Sequence, residues 1–137
     1  MTTKIKIGIV GSRKYSNKKK IKDLLYEIKQ KPYTEVEIVS GGQKDGADGY
    51  ARKFALELGM DYVEFPPAHY NWNMYCKLSA TKYNKPYYVT NYFKRNKQIA
   101  EYSDIVIAFI PSGVESKGTM NTVDYAKKFK KLVKILD

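Results

Sequence analysis

The chain alternates between short apolar runs and longer segments in which apolar residues recur every three or four positions. The short runs predict five strands, at Ile5–Val10, Val36–Val39, Asp61–Phe65, Asp104–Phe109 and Leu132–Leu136, and the first of them is expected to be covered on both faces. The longer segments predict a helix capped by Ser16 or Asn17 that ends before Pro32, and helices over Ala47–Leu58, Asn91–Tyr102 and Gly118–Phe129. Strands that alternate with helices indicate right-handed βαβ units. We therefore predict a Rossmann-like three-layer α/β/α domain with a mostly parallel five-stranded sheet.

The segment Ala68–Thr90 interrupts this pattern and is predicted to be a long loop. Loops of this length inside a compact domain are usually functional or mobile. The loop is rich in aromatic residues, which either pack against the sheet or form a lid that stacks on a base. For the second alternative, the candidates are Tyr70 and Trp72, because an aromatic face binds the π surface of any base.

The composition narrows the class of protein. We expect the 137 residues to form one domain, 1–137, and no apolar run approaches the ~20 residues that span a bilayer. The start of the chain has no features of a signal peptide, so a cytosolic location is expected. One cysteine, Cys76, and one histidine, His69, exclude a thiolate or imidazole metal cluster. We expect neither a metal nor a resident cofactor.

The charge is strongly positive. Lys and Arg number 25 against 14 Asp and Glu, which gives a formal net charge of +11 and favours anionic partners. The lysine runs, such as Lys18-Lys19-Lys20, are also typical of solvated helix faces, and they are not interleaved with an aromatic stacking platform. The sequence favours a small anionic ligand and leaves a nucleic-acid partner as a second alternative.

Three glycine-rich turns follow predicted strands. They are Gly11-Ser12-Arg13, Gly41-Gly42 with Gly46, and Ser112-Gly113 with Lys117-Gly118-Thr119. A glycine turn that opens a helix directs free backbone N–H groups and the helix dipole at a bound anion. Because ligands of open parallel sheets bind beyond the carboxyl ends of the strands, the three turns predict one shared crevice.

Four motifs occur in an order that resembles one superfamily: Gly11-Ser12-Arg13, Gly41-Gly42 with Gly46-Ala47-Asp48, Arg95-Asn96, and Gly118-Thr119. The chain resembles the SLOG superfamily, the Rossmann-like fold shared by DprA and the LOG phosphoribohydrolases, and within it the small stand-alone branch related to YspA and YpsA. The resemblance implies that the chain binds a nucleotide or a nucleotide-derived small molecule. The ligand-binding residues that it implies are Gly11, Ser12, Arg13, Gly41, Gly42, Gly46, Asp48, Arg95, Asn96, Gly118 and Thr119.

These residue types suit a phosphorylated ligand. Arg13 and Arg95 can offer bidentate forks to a phosphate, and Asp48 can accept hydrogen bonds from ribose hydroxyls. Asp48 is also an ordinary acidic residue for the first turn of a helix, and Arg95 an ordinary surface cation.

One position departs from the LOG pattern. LOG enzymes carry a glutamate three residues after the threonine of their terminal GT motif, where this chain has Thr122. The candidates for a substitute acid are Glu115 and Asp48. We therefore expect binding, for sensing or sequestration, ahead of two alternatives: LOG-like cleavage of the N-glycosidic bond of a nucleoside monophosphate, and DprA-like binding of single-stranded DNA. LOG-type relatives also suggest a homodimer or a higher homo-oligomer.

Overall fold

The computed structural model describes residues 4–31 and 35–137. Pro32, which the sequence placed just after the first helix, lies outside the described residues. The strands are β1 (Lys4–Gly11), β2 (Glu35–Ser40), β3 (Asp61–Glu64), β4 (Ile105–Phe109) and β5 (Leu132–Leu136). The helices are α1 (Lys18–Gln30), α2 (Gly46–Glu57), α3 (Thr90–Tyr102) and α4 (Lys117–Lys128), with a short 3-10 turn at Ala80–Lys82.

The five strands form one parallel sheet in the order β3-β2-β1-β4-β5. β1 lies at the centre and pairs with both β2 and β4, with Ile7 opposite Ile38 on one side and opposite Ile105 on the other. The predicted Rossmann-like α/β fold is confirmed. The strand order reverses between β1 and β4, and the segments that follow these two paired strands lead to helices on opposite faces of the sheet, which leaves room for a ligand between them.

Both faces of the sheet are covered, and the second half of β1 is accordingly apolar at every position from Ile7 to Val10. Ile7 and Ile9 pack on the side of α1 and α2, whereas Val10 packs on the side of α3 and α4. A strand that is buried on both faces cannot alternate between apolar and polar residues. Gly8 serves the same packing, since a Cβ there would lie 2.8 Å from Ser103 Oγ.

The helix ends follow their capping residues. Asn17 caps α1, and its side chain accepts a hydrogen bond from Lys20 N. Gly59, with φ of +69°, follows α2, and Met60 N donates to Ala55 O in a Schellman-type closure. Both ends lie within one or two residues of the predicted bounds.

The long loop between β3 and α3 is confirmed as irregular. It contains only the 3-10 turn and an isolated bridge between Glu64 and Cys76. Backbone hydrogen bonds of 3.0 and 3.1 Å join Glu64 to Tyr75 and Lys77, so the loop folds back along the end of β3. It brings polar side chains towards the glycine turn that follows β2.

Candidate functional site

A cleft of about 390 Å³ opens where the strand order reverses. We call it the first cleft. Its walls come from the turn after β1, the segment around the start of α2, one face of α3, and the first turns of α4. The charged residues that line it are Arg13, Lys14, Arg95 and Asp48, so three cations face one carboxylate. The cleft is therefore electropositive and suits an anion.

The turn after β1 projects Arg13 into this cleft. The turn closes through a hydrogen bond of 3.1 Å from Tyr15 N to Ser12 O, and Ser12 Oγ accepts from Lys14 N at 3.0 Å. The Arg13 guanidinium lies 5.8 Å from the centroid of the Tyr92 ring. Among residues 4–31 and 35–137 it has no hydrogen-bond or ion-pair partner. An exposed arginine held beside an aromatic ring, with its donors unused, is available to a ligand.

Arg95 and Asp48 form the floor of the cleft. Arg95 is 8% exposed, and its Nη1 donates to Gly41 O at 2.5 Å while its Nε donates to Asn96 Oδ1 at 2.9 Å. Asp48 is 7% exposed and accepts from Gln43 N at 3.4 Å. Part of the fork of Arg95 is therefore occupied by the protein's own carbonyl.

Burial controls the charges of this pair. Burial raises the pKa of Asp48 to about 6, although the nearby positive charge of Arg95 acts in the opposite direction. Burial also lowers the pKa of Arg95, and the neighbouring charge of Arg13 adds to that effect. The two guanidinium groups are thus close enough to repel each other. A bound anion would relieve this repulsion.

The start of α4 forms the opposite wall. The first helical hydrogen bond runs from Met120 N to Ser116 O at 3.0 Å, so the N–H groups ahead of it have no partner within the helix. Ser116 Oγ donates to Thr119 Oγ1 at 2.7 Å, and Asn96 Nδ2 donates to Gly118 O at 3.3 Å. The amide of Asn96 therefore fixes this helix start against α3.

A second cavity of about 430 Å³ adjoins the first. It shares Arg13 and Gln43 with the first cleft, and its other walls come from the glycine turn after β2 and from the long loop. Tyr70 Oη donates to Gln43 Oε1 at 2.9 Å, so the side chain of Gln43 stands at the boundary between the two spaces.

The structure brings most of the predicted site residues together. The predicted residues that line the first cleft are Gly11, Ser12, Arg13, Asp48, Arg95, Asn96, Gly118 and Thr119. Gly42 and Tyr70 line the second cavity. Gly41 and Gly46 line neither and instead allow close packing. A Cβ on Gly41 would lie 2.8 Å from the side-chain atom Asp48 Oδ2, and one on Gly46 would lie 2.5 Å from the backbone atom Arg13 Cα. Trp72, 48% exposed, and Glu115, also exposed, line neither space.

Several lining residues were not predicted. They are Val10, Lys14, Gln43, Tyr92, Ile99, Ser116 and Thr122. Tyr92 lies one helical turn before Arg95 and Asn96, so the i, i+3 spacing on α3 could have indicated it. Gln43 follows Gly41-Gly42 directly, but nothing in the sequence predicts that its side chain meets Tyr70.

The residues that the structure describes contain no group of three or more His, Cys, Asp or Glu that could hold a metal ion. Among the same residues, no helix has both the length and the hydrophobicity to cross a membrane.

A parallel sheet of this order, with glycine turns and a polar cleft at its reversal point, defines a Rossmann-like α/β protein. The chain belongs to the YspA, cpYpsA-related SLOG family (YAcAr), whose model matches residues 5–74. The matched region contains the first two glycine turns and Asp48. No curated protein sequence matches the chain significantly.

Solved structures show the same fold. The molybdenum cofactor binding protein of the phototrophic bacterium Rippkaea orientalis is 20% identical, with a TM-score of 0.67 over 98% of this chain and 77% of that one. The molybdenum cofactor carrier protein MCP of Chlamydomonas reinhardtii is 19% identical, with a TM-score of 0.65 over 97% of this chain and 76% of that one. At this level of identity the likeness establishes the fold alone.

Proposed function

We propose that the chain binds a phosphorylated nucleotide or a nucleotide-derived small molecule in the first cleft, for sensing or sequestration. The observation that carries the proposal is that Arg13 has no ion-pair partner among the described residues and shares the cleft with the start of α4. An arginine fork and free helix N–H groups that line one cleft can together bind a phosphate. A cytosolic location, without a resident cofactor, is part of the same proposal.

The other lining groups match the remaining parts of such a ligand. Ser12 and Thr119 can donate hydroxyl hydrogens to the phosphate, and Asp48 can accept from ribose hydroxyls. Arg95 contributes mainly charge, because Gly41 O and Asn96 already take two of its donors. Tyr70 offers an aromatic face at the border of the second cavity. Trp72 is exposed outside both spaces, so Tyr70 is the stronger candidate for stacking on a base.

The relatives in fold also support small-molecule binding, since two of them are described as molybdenum cofactor binding and carrier proteins. The molybdenum cofactor is therefore the alternative ligand for this cleft. Titration of the purified chain with this compound, beside the nucleotides, distinguishes the two ligands by affinity.

The test is a thermal-shift screen against mononucleotides, cyclic nucleotides and dinucleotides, followed by calorimetry of each compound that stabilises the chain. A ligand at 100 times its dissociation constant adds about 2.7 kcal/mol to the free energy of unfolding. Arg13→Ala should weaken binding about 10- to 100-fold, because a hydrogen bond to a charged group is lost. Absence of any shift would contradict the proposal and direct the search to single-stranded DNA, whose affinity falls steeply with salt.

Lys127→Ala is the matched control for overall charge. Lys127 is exposed in the last turn of α4 and does not line the cleft. It lies five residues beyond Thr122, the last residue of α4 that does, which is about 7.5 Å along the helix. The Lys127→Ala variant removes one positive charge, as Arg13→Ala does, but it removes no donor from the site. Equal losses in the two variants would mean that only the general field of the protein attracts the ligand.

A second candidate function, N-glycosidic hydrolysis, is favoured by Asp48 alone. Its carboxyl lines the cleft, and a pKa of about 6 suits a group that exchanges protons near neutral pH. Glu115, the other candidate acid, is exposed and does not line the cleft. Water would add to the ribose carbon as the bond to the base breaks, and the base would leave with a proton. Chromatography after incubation with nucleoside monophosphates detects the free base, and Asp48→Asn should abolish its release.

A homodimer or a higher homo-oligomer is also proposed. Four large apolar or aromatic residues are exposed around the start of α3 and could form part of an interface: Tyr87, Tyr88, Val89 and Phe93. Light scattering coupled to size-exclusion chromatography measures the mass directly, and a mass of 15.8 kDa would contradict association.

A further inference from the structure

Two polar side chains form the boundary between the first cleft and the second cavity. Arg13 and Gln43 line both spaces, and no other residue that the structure describes does so. Each space lies in the lower part of the range of small-molecule sites, about 300–1,000 Å³. A ligand confined to the first cleft would leave the second cavity and half of this boundary unused.

The side chain of Gln43 is held in place by Tyr70 and has an unused donor. Tyr70 Oη donates to its Oε1 at 2.9 Å, which fixes the orientation of the amide. Its Nε2 is buried and has no hydrogen-bond partner among the described residues. Buried donors in folded proteins are rarely left without an acceptor, and the amide nitrogen carries two N–H groups. Gln43 therefore has unused amide donors at the boundary.

Arg13 is the second donor residue at this boundary. Arg13 lines both spaces, and its guanidinium has no carboxylate partner in the part of the chain that the structure describes. An arginine donor fork and an amide donor on the same boundary favour an anionic oxygen there. The charge of the ligand is then placed at the middle of the combined site.

A network of buried hydrogen bonds supports the walls of the second cavity. Glu64, at the end of β3, is 1% exposed and accepts hydrogen bonds of 2.8 Å from Tyr62 Oη and from Asn73 Nδ2. Ser40 Oγ and Tyr62 Oη lie 2.6 Å apart and extend the same network. This network anchors the long loop, which supplies Asn71 and Tyr70 to the cavity wall.

We propose that the ligand is bipartite: its phosphate linkage contacts Arg13 and reaches Gln43, while one organic part lies in the first cleft and the other lies in the second cavity. This inference rests on the proposed function and names the class of compound, a phosphodiester- or pyrophosphate-linked molecule of two parts. Gln43 distinguishes it from a nucleoside monophosphate, because only a ligand that crosses the boundary brings its phosphate oxygens to the Gln43 amide.

The experiment compares affinities by calorimetry for NAD, dinucleoside monophosphates of the four bases, the four nucleoside monophosphates and ribose 5-phosphate. The best two-part compound should bind at least tenfold more tightly than either of its halves. Gln43→Leu, which removes the amide at similar size, should weaken the two-part compound about tenfold more than ribose 5-phosphate. Gln43→Glu, which keeps an acceptor for Tyr70 but opposes an anion, should weaken it further. Gln30→Leu, at the exposed end of α1, is the control and should change neither affinity.

The outcomes separate the two proposals. If nucleoside monophosphates bind as tightly as two-part compounds and Arg13→Ala still weakens them, the bipartite ligand is overturned and the proposed function stands. If no compound binds, both fail. Tighter binding of a ten-nucleotide single strand, with a steep loss of affinity in salt, would also overturn the inference. The size comparison uses the unmodified chain, so it holds even if a Gln43 variant does not fold.

Discussion

The two sides of the first cleft use glycine in opposite ways. On the closed side, which Gly11 lines, the turns after β1 and β2 pack backbone against backbone behind the cleft wall at Gly46, and Ala47 N donates to Ser12 O at 3.3 Å. On the open side, at the start of α4, a Cβ on Gly118 would meet nothing within 4 Å among the described residues, and the same holds for Gly113 in the turn before the helix. Similar motifs in the sequence thus provide close packing on one side and access on the other.

The largest effect should come from Gly46→Ala, which adds a Cβ where two backbones meet. Gly46 has φ of +70°, and a Cβ there would clash with the Ser12 carbonyl oxygen and lie 2.5 Å from Arg13 Cα. We expect a loss of about 4 kcal/mol or more in the free energy of unfolding, because neither backbone can move away. Urea denaturation measures it.

Gly113→Ala is the control for this prediction. Gly113 also has positive φ, +77°, but open space around it. Gly113→Ala should lower the free energy of unfolding by only about 1–2 kcal/mol, which is the cost of placing a residue with a Cβ in the left-handed region. Equal losses at the two positions would mean that φ alone, and not the packing of the closed side, makes Gly46 necessary.

The second largest effect should be a pH dependence of stability that comes from Asp48, the buried carboxylate of the closed side. The pKa of Asp48 rises from 3.8 in the unfolded chain to about 6 on folding, so the folded state binds the extra proton. The resulting stability is fully present below pH 4 and is lost as the pH rises to about 6, a change of about 3 kcal/mol. Asp48→Asn should remove this slope, which urea denaturation at pH 4 to 7 measures. A slope equal to that of the unmodified chain would assign the pH dependence to other groups.

Gly11→Ala should have a moderate effect. Its Cβ would lie 2.6 Å from Ala47 Cβ, a clash between two small groups that costs about 1–3 kcal/mol. Ala47→Gly removes the opposing methyl group, so the double variant should be more stable than the sum of the single losses predicts. Strict additivity in this double-mutant cycle would show that the two turns do not press on each other.

The smallest change in stability should come from Gly118→Ala on the open side. With nothing within 4 Å of the new Cβ, the free energy of unfolding should change by less than about 0.5 kcal/mol. Nucleotide affinity should fall severalfold, because the methyl group stands where the ligand approaches the backbone. A clear loss of stability would contradict the description of this side as open.

The sequence predicted the fold well because its signals are local. The apolar runs predicted the strands, and the i, i+3, i+4 spacing of apolar residues predicted the helices. In α1, for example, this spacing places Ile21, Leu25 and Ile28 on one buried face. The glycine turns placed the cleft because the carboxyl ends of parallel strands share one edge.

The remaining features depend on contacts between distant segments. A glycine has the same letter whether a neighbouring backbone or open space faces it, so Gly46 and Gly118 looked alike. Gln43 was missed because its role depends on Tyr70, 27 positions away. Trp72 was chosen for its aromatic character, but the path of the loop leaves it exposed outside both cavities.

The central position of β1 also has a consequence for folding on the ribosome. β1 is made early, yet Ile7 pairs with Ile105, about a hundred residues later in the chain. At translation rates of about 5–20 residues per second, one hydrogen-bonding edge of β1 stays open for roughly 5–20 s. During that interval the nascent chain exposes an apolar strand edge, which is where a chaperone would bind and where two growing chains would first associate wrongly.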